Sequence, residues 1–295
     1  MRRLSLSIHP SQEGKDINTL LRKELGLSGS GVRRAKQMPD GILLDGCPAF
    51  TNARVRTGQT LSVAVGDLVG SGQIALVPGP LDIRYEDEDL LVVNKGGQTP
   101  VHPSQGHHGD TLANFLMAYY ESIGLVAAFH PVNRLDRGTS GLMAVAKHPH
   151  AHEVLQRQLQ EGRLTRTYLA VCQGTPDPAA GSVEAPIGRE PGSVLRRMVT
   201  PEGTFARTHY EVLQIGKGRS LVRLKLDTGR THQIRVHMAY LGCPLVGDFL
   251  YGRETEELPD RFALHSASIR LEQPVTGEEI VLEAPLPRDL ADLLT

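Results

Sequence analysis

Cysteine is scarce in this chain. Cys47, Cys172 and Cys243 are spread over 295 residues, too few and too far apart for a disulfide framework and without the spacing of a zinc site. They fit a reducing compartment, and the cytoplasm is the expected location. No apolar run approaches the length of a membrane span, so no membrane association is expected. The opening MRRLSLSIHPSQEGKD has two arginines but no continuous apolar stretch behind them, so it does not read as a secretory signal. Also missing are the G-x-x-x-x-G-K-S/T phosphate loop, the H-E-x-x-H zinc helix and the G-x-S-x-G nucleophile elbow. His107 and His108 are adjacent, and His232 and His237 are five apart. Neither spacing brings two imidazoles onto one metal from a helix face, so no metal site is expected.

Net charge is also small, at −1, but it is unevenly placed. Residues 1–66 hold ten Lys/Arg against five Asp/Glu, and residues 157–235 hold thirteen against seven. Residues 253–292 reverse the balance, with four against ten. Two basic regions in a neutral chain are compatible with a polyanion crossing one face. Arginine supplies 25 of the 32 basic residues, and its planar fork suits phosphates and base edges.

Three regions follow from the patterning. Residues 1–66 read as a small unit. It has a helix in DINTLLRKELG that Asp16 can cap and a short basic helix in SGSGVRRAKQM carrying Arg33, Arg34 and Lys36. A hairpin turning at Asp45–Gly46 and a closing strand in QTLSVAV complete it. Residues 67–80 are rich in Gly and Pro and form a linker with room for one short strand. Residues 81–295 form the larger unit. Strand-like runs lie at 90–94, 142–147, 166–172, 204–215, 219–226, 261–271 and 279–284, and helical patterns at 110–122, 148–162 and 232–242. Their irregular order excludes repeated β-α-β units. The predicted class is α+β, with a mixed, largely antiparallel sheet and flanking helices.

Three patches carry chemistry. In HPVNRLDRGTSGLMAVAK, residues 130–147, Asp136 lies between Arg134 and Arg137. One reading is a polar turn, since Asp136, Gly138, Thr139 and Ser140 all favour turns, with a neighbouring arginine pairing to Asp136 at the surface. The other is a carboxylate at the mouth of a strand, held ionised by a guanidinium and able to act as nucleophile or base. In LDTGRTHQIRVHMAYLGCPLVGDFLYG, residues 226–252, Arg230 and Arg235 are candidates for a buried carboxylate or a phosphate, and Thr231 is placed to cap a helix. In GRLTRTYLAV, Tyr168 serves either as core or as a platform for a base.

NRLDRGTSG, RTYLAV and LDTGRTHQIRVHMAYLGCPLVGDFLYG, in that order, resemble the RluA-type RNA pseudouridine synthases. YEDEDLLVVNK (85–95), PVHP (100–103) and TGEEIVLEAPLP (276–287) extend the resemblance over nearly all of 81–287. Residues 1–66 more faintly resemble the S4-type RNA-binding module that often precedes this domain, with Asp45–Gly46 in place of its usual Asn-Gly turn.

The resemblance implies the pseudouridine synthase fold and conversion of uridine in a structured RNA to pseudouridine. The N1–C1′ bond breaks, the uracil turns, and C5 joins C1′. No redox change occurs and no atom is added, so no cofactor is implied. The resemblance assigns Asp136 as the catalytic aspartate, Arg235 as its basic partner and Tyr168 as the active-site tyrosine. It places Arg134 at the space vacated by the flipped base. Arg230, His102 and Thr139 join it in substrate binding, with Arg33, Arg34 and Lys36 on the N-terminal unit. Motif wording and the S4-like unit point toward large-subunit ribosomal RNA, with transfer RNA as the alternative and a monomer as the expected state. One departure stands inside the catalytic motif: Asn133 occupies the family's histidine position and cannot titrate near neutrality. An RNA-binding homologue that has lost catalysis is the competing reading. A hydrolase or lyase built on Asp136, His130 and His232 would need a water-activating arrangement that the sequence does not display.

If residues 1–66 supply RNA affinity, deleting them weakens binding and flattens its dependence on salt. Binding titrations over a salt series check this, and unchanged affinity and slope would overturn it.

Overall fold

Capping side chains and apolar spacing set the first elements of this computed structural model, which describes all residues from Met1 to Thr295. Strand β1 (Arg3–Ser7) leads to α1 (Ile17–Lys23). The Asp16 carboxylate accepts the Thr19 N–H at 2.9 Å, a cap worth about 1 kcal/mol. Helix α2 (Gly29–Gln37) begins at Ser28, whose hydroxyl accepts the Gly31 N–H at 3.0 Å. Strands β2 (Ile42–Leu44) and β3 (Cys47–Pro48) meet at Asp45 (φ 49°) and Gly46 (φ 79°). Two consecutive positive φ values are the mirror-image turn that matches strand twist. With β4 (Thr60–Ala64) they form a four-stranded sheet in the order β1-β4-β2-β3. Leu20, Leu21, Leu61 and Val63 lead a buried cluster belonging to this unit alone.

Residues 67–80 form no strand, so the short strand allowed for there is absent. The segment is pinned by side chains instead. Asn114 Nδ2 donates to the Ala75 carbonyl at 2.8 Å, and a Cβ at Gly79 would sit 2.3 Å from the Phe115 ring.

The larger part begins with β5 (Ile83–Glu86), β6 (Leu90–Lys95) and α3 (Leu112–Ser122). Next come the two-residue β7 (His130–Pro131), β8 (Ser140–Ala146), α4 (Pro149–Gln160) and β9 (Thr165–Gln173). Strand β10 (Ala180–Glu184) precedes a small hairpin, β11 (Ile187–Arg189) and β12 (Arg197–Val199). The chain continues through β13 (Arg207–Gly216), β14 (Arg219–Leu226) and α5 (Gln233–Tyr240). It closes with β15 (Leu264–Glu272), β16 (Glu279–Glu283) and α6 (Arg288–Ala291). The main sheet runs β10-β13-β14-β9-β15-β8-β6-β5, with β16 beside β15 and β7 beside β8.

All its pairings are antiparallel except β15 with β8, which touch over His265–Ser140 and Ser266–Gly141. This short parallel seam joins the two halves of the sheet at its centre. Strand β8 is buried at every residue, as a central strand covered on both faces must be. Alternation then sorts the side chains. Leu91, Val93, Met143 and Val145 share a cluster with Leu116 of α3 and Met238 of α5. Leu90, Val92, Leu142 and Ala144 share another with Leu155 of α4. The sheet is thus mixed, mostly antiparallel, and flanked by helices.

Polar contacts tie the N-terminal unit to this sheet. Arg2 Nε donates to Asp89 at 2.7 Å, and the Ser28 and Ser30 hydroxyls both reach the Glu153 carboxylate on α4. Asp89 is buried and also accepts from His148 Nε2 at 2.9 Å and Gln273 Nε2 at 2.8 Å. Burial favours its neutral form. The His148, Arg2 and Gln273 hydrogen bonds outweigh that and hold the carboxyl below the ordinary aspartate range. The stabilisation is therefore present above the unfolded-state value of about 4 and is lost as pH falls through the lower folded value. Asp89→Ala is expected to cost about 3 kcal/mol at neutral pH and to flatten the acid limb of stability between about pH 4 and 2. Urea titrations across that range check it; a cost under about 1 kcal/mol would contradict it.

Candidate active site

Asp136 lies in a loop fixed from several sides just before the β15–β8 seam. Its carbonyl accepts the Thr139 N–H at 3.0 Å. A Cβ at Gly138 would stand 2.6 Å from the Phe262 ring, and Gly141 adopts φ 108° with the Ser266 backbone 2.3 Å from where a Cβ would be. Both glycines are required by close approach, and Gly141 also by its backbone angle. The buried Asn133 Oδ1 accepts the Ala144 N–H at 3.1 Å, so this residue braces the loop against β8. Lys95 Nζ donates to the carbonyls of Gly96, Thr99 and Arg137 at 2.7, 2.8 and 3.1 Å. Burial, then Arg261, pushes the Lys95 amine down to about 7. The three carbonyls oppose that shift, because only the ammonium has three N–H groups to give.

Asp136 pairs with neither adjacent arginine. Arg134 is exposed at the cleft, and Arg137 Nη1 lies 3.2 Å from His107 Nε2. The guanidinium facing Asp136 is Arg235, with Nη1 at 3.4 Å from Oδ2. Its closer carboxylate is a residue that the sequence reading did not single out. Asp248 takes Arg235 Nε and Nη2 at 2.7 Å each. Arg235 is 3% exposed and Asp248 is fully buried. Burial disfavours the arginine's charge, but Asp248 and then Asp136 overcome it and raise its pKa above the ordinary value. The guanidinium also lies 4.0 Å from the Phe262 ring centre and 5.1 Å from that of Tyr251, close enough for cation–π attraction.

Helix α5 starts differently from expectation. Its cap position is His232, at φ 57° and ψ 21°, and no side chain caps it there. Thr231 does not take that role. Gln233 reaches back instead, its Oε1 accepting the Arg230 N–H at 2.9 Å and the Thr228 hydroxyl at 2.8 Å. The left-handed turn at His232 is uncommon for a residue with a side chain. It sends Nε2 to 3.9 Å from Asp136 Oδ2 while Nδ1 lies 2.9 Å from the Tyr251 hydroxyl. Burial lowers the His232 pKa, against the pull of Asp136.

These groups line a cleft of about 380 Å³. Asp136, Arg235, Tyr168, Arg134, Arg230, His102 and Thr139 all stand in its wall. A second hollow of about 530 Å³ shares Asp136, Arg134, His102 and Arg235 with the first and adds Leu195 and Phe249. Arg33 and Lys36 lie exposed on α2, away from the cleft, while Arg34 is within 3.9 Å of Glu153. No group of three metal-ligating side chains is assembled, and no helix is long and apolar enough to cross a membrane. A carboxylate beside a fixed guanidinium and an aromatic ring, in an open cleft bordered by unpaired arginines, suits a flipped nucleotide.

Residues 89–240 match the family of RNA pseudouridylate synthases. Over 271 residues the chain is 41% identical to the uncharacterized RNA pseudouridine synthase YjbO of Bacillus subtilis (strain 168), covering 92% of this chain and 95% of that protein. It is 44% identical over 227 residues to ribosomal large subunit pseudouridine synthase D of Vibrio cholerae, covering 72% and 70%. The solved structure of human RNA pseudouridylate synthase domain containing 1 aligns at 31% identity and a TM-score of 0.58, over 70% of this chain and 85% of that one. The class is thus an isomerase that turns uridine in RNA into pseudouridine. The chain belongs to the RNA pseudouridine synthase family and, within it, to the RluA type.

Asp248→Asn removes the anion that aims Arg235. A misplacement of about 1 Å can cost roughly 100-fold in rate, and pseudouridine formation is expected to fall by that order while RNA binding changes by less than about threefold. Single-turnover rates beside filter binding check this; a rate within twofold of the parent would contradict it.

Proposed function

We propose that the chain isomerises uridine in large-subunit ribosomal RNA, with Asp136 as the catalytic carboxylate. The observation that carries the site assignment is the position of Asp136. It is the one carboxylate in the wall of the 380 Å³ cleft, 3.4 Å from a buried guanidinium. The choice of RNA is supported by the relatives named ribosomal large subunit pseudouridine synthase D, which are 42–44% identical over 72–73% of the chain.

In this reading the target nucleotide leaves its stack and enters the cleft, a step that costs a few kcal/mol. Arg134, exposed at the rim, faces the displaced RNA. The uracil stacks on Tyr168, which is buried except toward the cleft. Arg235, 3.4 Å away, directs the Asp136 carboxylate at the ribose. The carboxylate then acts at the sugar, either by attack on C1′ or by removal of a sugar proton, and the N1–C1′ bond breaks. The freed uracil turns and C5 bonds to C1′. The C5 proton leaves and N1 gains one, so atoms balance without a cofactor. Arg230, whose Nε donates to the Phe205 carbonyl at 2.9 Å, keeps its terminal N–H groups for the RNA. Asn133 in place of histidine leaves the loop braced through Ala144, which favours an active enzyme over a homologue that only binds. Arg33 and Lys36 extend the basic surface beyond the cleft.

Asp136→Asn is expected to abolish product while leaving much of the RNA binding intact; undiminished product would overturn the assignment. Pseudouridine mapping of ribosomal and transfer RNA, with and without the gene, tests the target. Sites lost from large-subunit ribosomal RNA are expected. Losses confined to transfer RNA would overturn that choice of substrate.

A further inference from the structure

Arg166 is an arginine in the cleft wall whose charge nothing in the protein answers. It makes no ion pair and no side-chain hydrogen bond, and its Nε is out of contact with solvent and without an acceptor. Most of the chain's other enclosed arginines are matched: Arg235 by Asp248, Arg261 by Asp289 and Arg219 by Glu257. A partly enclosed guanidinium without a counter-ion is costly unless an anion arrives with the substrate.

Its place on β9 says where that anion would be. Arg166 and Tyr168 are two residues apart on one strand, so their side chains leave the same face, and both line the cleft that holds Asp136. Two strand residues span about 7 Å. The same wall includes Arg134 and Arg230, neither with a carboxylate partner, and Gln156, whose Nε2 donates to the Val132 carbonyl at 2.6 Å. The Arg166 side of the cleft therefore offers cationic N–H groups and no competing acid beyond Asp136.

We propose that Arg166 binds a backbone phosphate of the RNA within one nucleotide of the isomerised uridine, holding the strand while the base stacks on Tyr168. This rests on the reading of the cleft as the uridine site. Arg166 is a binding residue in this account and takes no part in bond making.

The test uses the full chain and an RNA oligonucleotide that the parent enzyme converts. Arg166→Gln is expected to raise KM roughly tenfold, with the larger share of the loss in KM rather than kcat. It should also reduce the slope of log affinity against log salt by about 0.7, the value for one phosphate contact on a single strand. Arg166→Lys keeps the charge and should recover part of the loss. Arg223→Gln is the control. That residue is in register with Leu169, on the face opposite Tyr168, and pairs with Glu211 at the surface; its change should leave KM and slope as in the parent.

The decisive arm replaces single phosphates near the target with neutral methylphosphonates. One such replacement should weaken binding by the parent and cost Arg166→Gln little more, because the contact is already gone. An equal penalty in both proteins at every position, or an unchanged KM and salt slope in Arg166→Gln, overturns the proposal. Should the parent form no pseudouridine in any RNA, the reading of the cleft fails instead, and that outcome is separate from these.

Discussion

A guanidinium that is 3% exposed needs its charge answered within a few ångströms. Arg235 meets that need through two 2.7 Å hydrogen bonds to Asp248, and much of the site follows from this pair. With Nε and Nη2 committed to Asp248, Nη1 is left facing Asp136 at 3.4 Å. The guanidinium facing the Asp136 loop is therefore set by a carboxylate more than a hundred residues further along the chain. Phe262 lies 4.0 Å from the same guanidinium, and it fits there because position 138 has no side chain. Glycine, ring and ion pair form one packed unit, and the β15–β8 seam holds it at the centre of the sheet.

The cleft follows a division of labour among arginines. Arg235 is neutralised inside the protein and serves to orient. Arg134, Arg230 and Arg166 have no carboxylate partner and are left for an anion. The basic stretch over residues 157–235 thus contains two kinds of arginine that composition alone cannot separate. Burial and the presence of a counter-ion do separate them, and they also set the cost of removing each. Asp248 and Arg235 belong to the interior, where loss of one partner strands the other. Arg166 and Arg230 line the open cleft, where loss is expected to show first in affinity and salt dependence.

Much of this was legible in the sequence. Strand-like runs located β6, β8, β9, β13, β14, β15 and β16, and Asp16 read as a cap because its side chain answers a local N–H group. Asp45–Gly46 read as a turn for the same local reason. The three motifs brought Asp136, Tyr168 and Arg235 to one cleft on paper, and the fold places all three in its wall. What escaped was set by distant contacts. Strand β10 and the β11–β12 hairpin are short and polar and carry little periodicity. Thr231 looked like a cap, yet no side chain caps the helix, and Gln233 reaches back to the Arg230 N–H and the Thr228 hydroxyl ahead of it. Asp248 lay within a quoted motif, and its only signal was a lone acid in the apolar run LVGDFLY. Arg166 was not singled out in the sequence, and only the fold shows that it lines the cleft without a partner.

Asp248 is expected to act on pseudouridine formation chiefly through the Arg235 guanidinium that it holds. A double-mutant cycle tests it most directly, with single-turnover pseudouridine formation measured for Asp248→Asn, Arg235→Lys and the pair together. The account predicts strong non-additivity, with the double variant no slower than the slower of the two singles. Fully additive losses would show that Asp248 contributes by another route and would contradict the account.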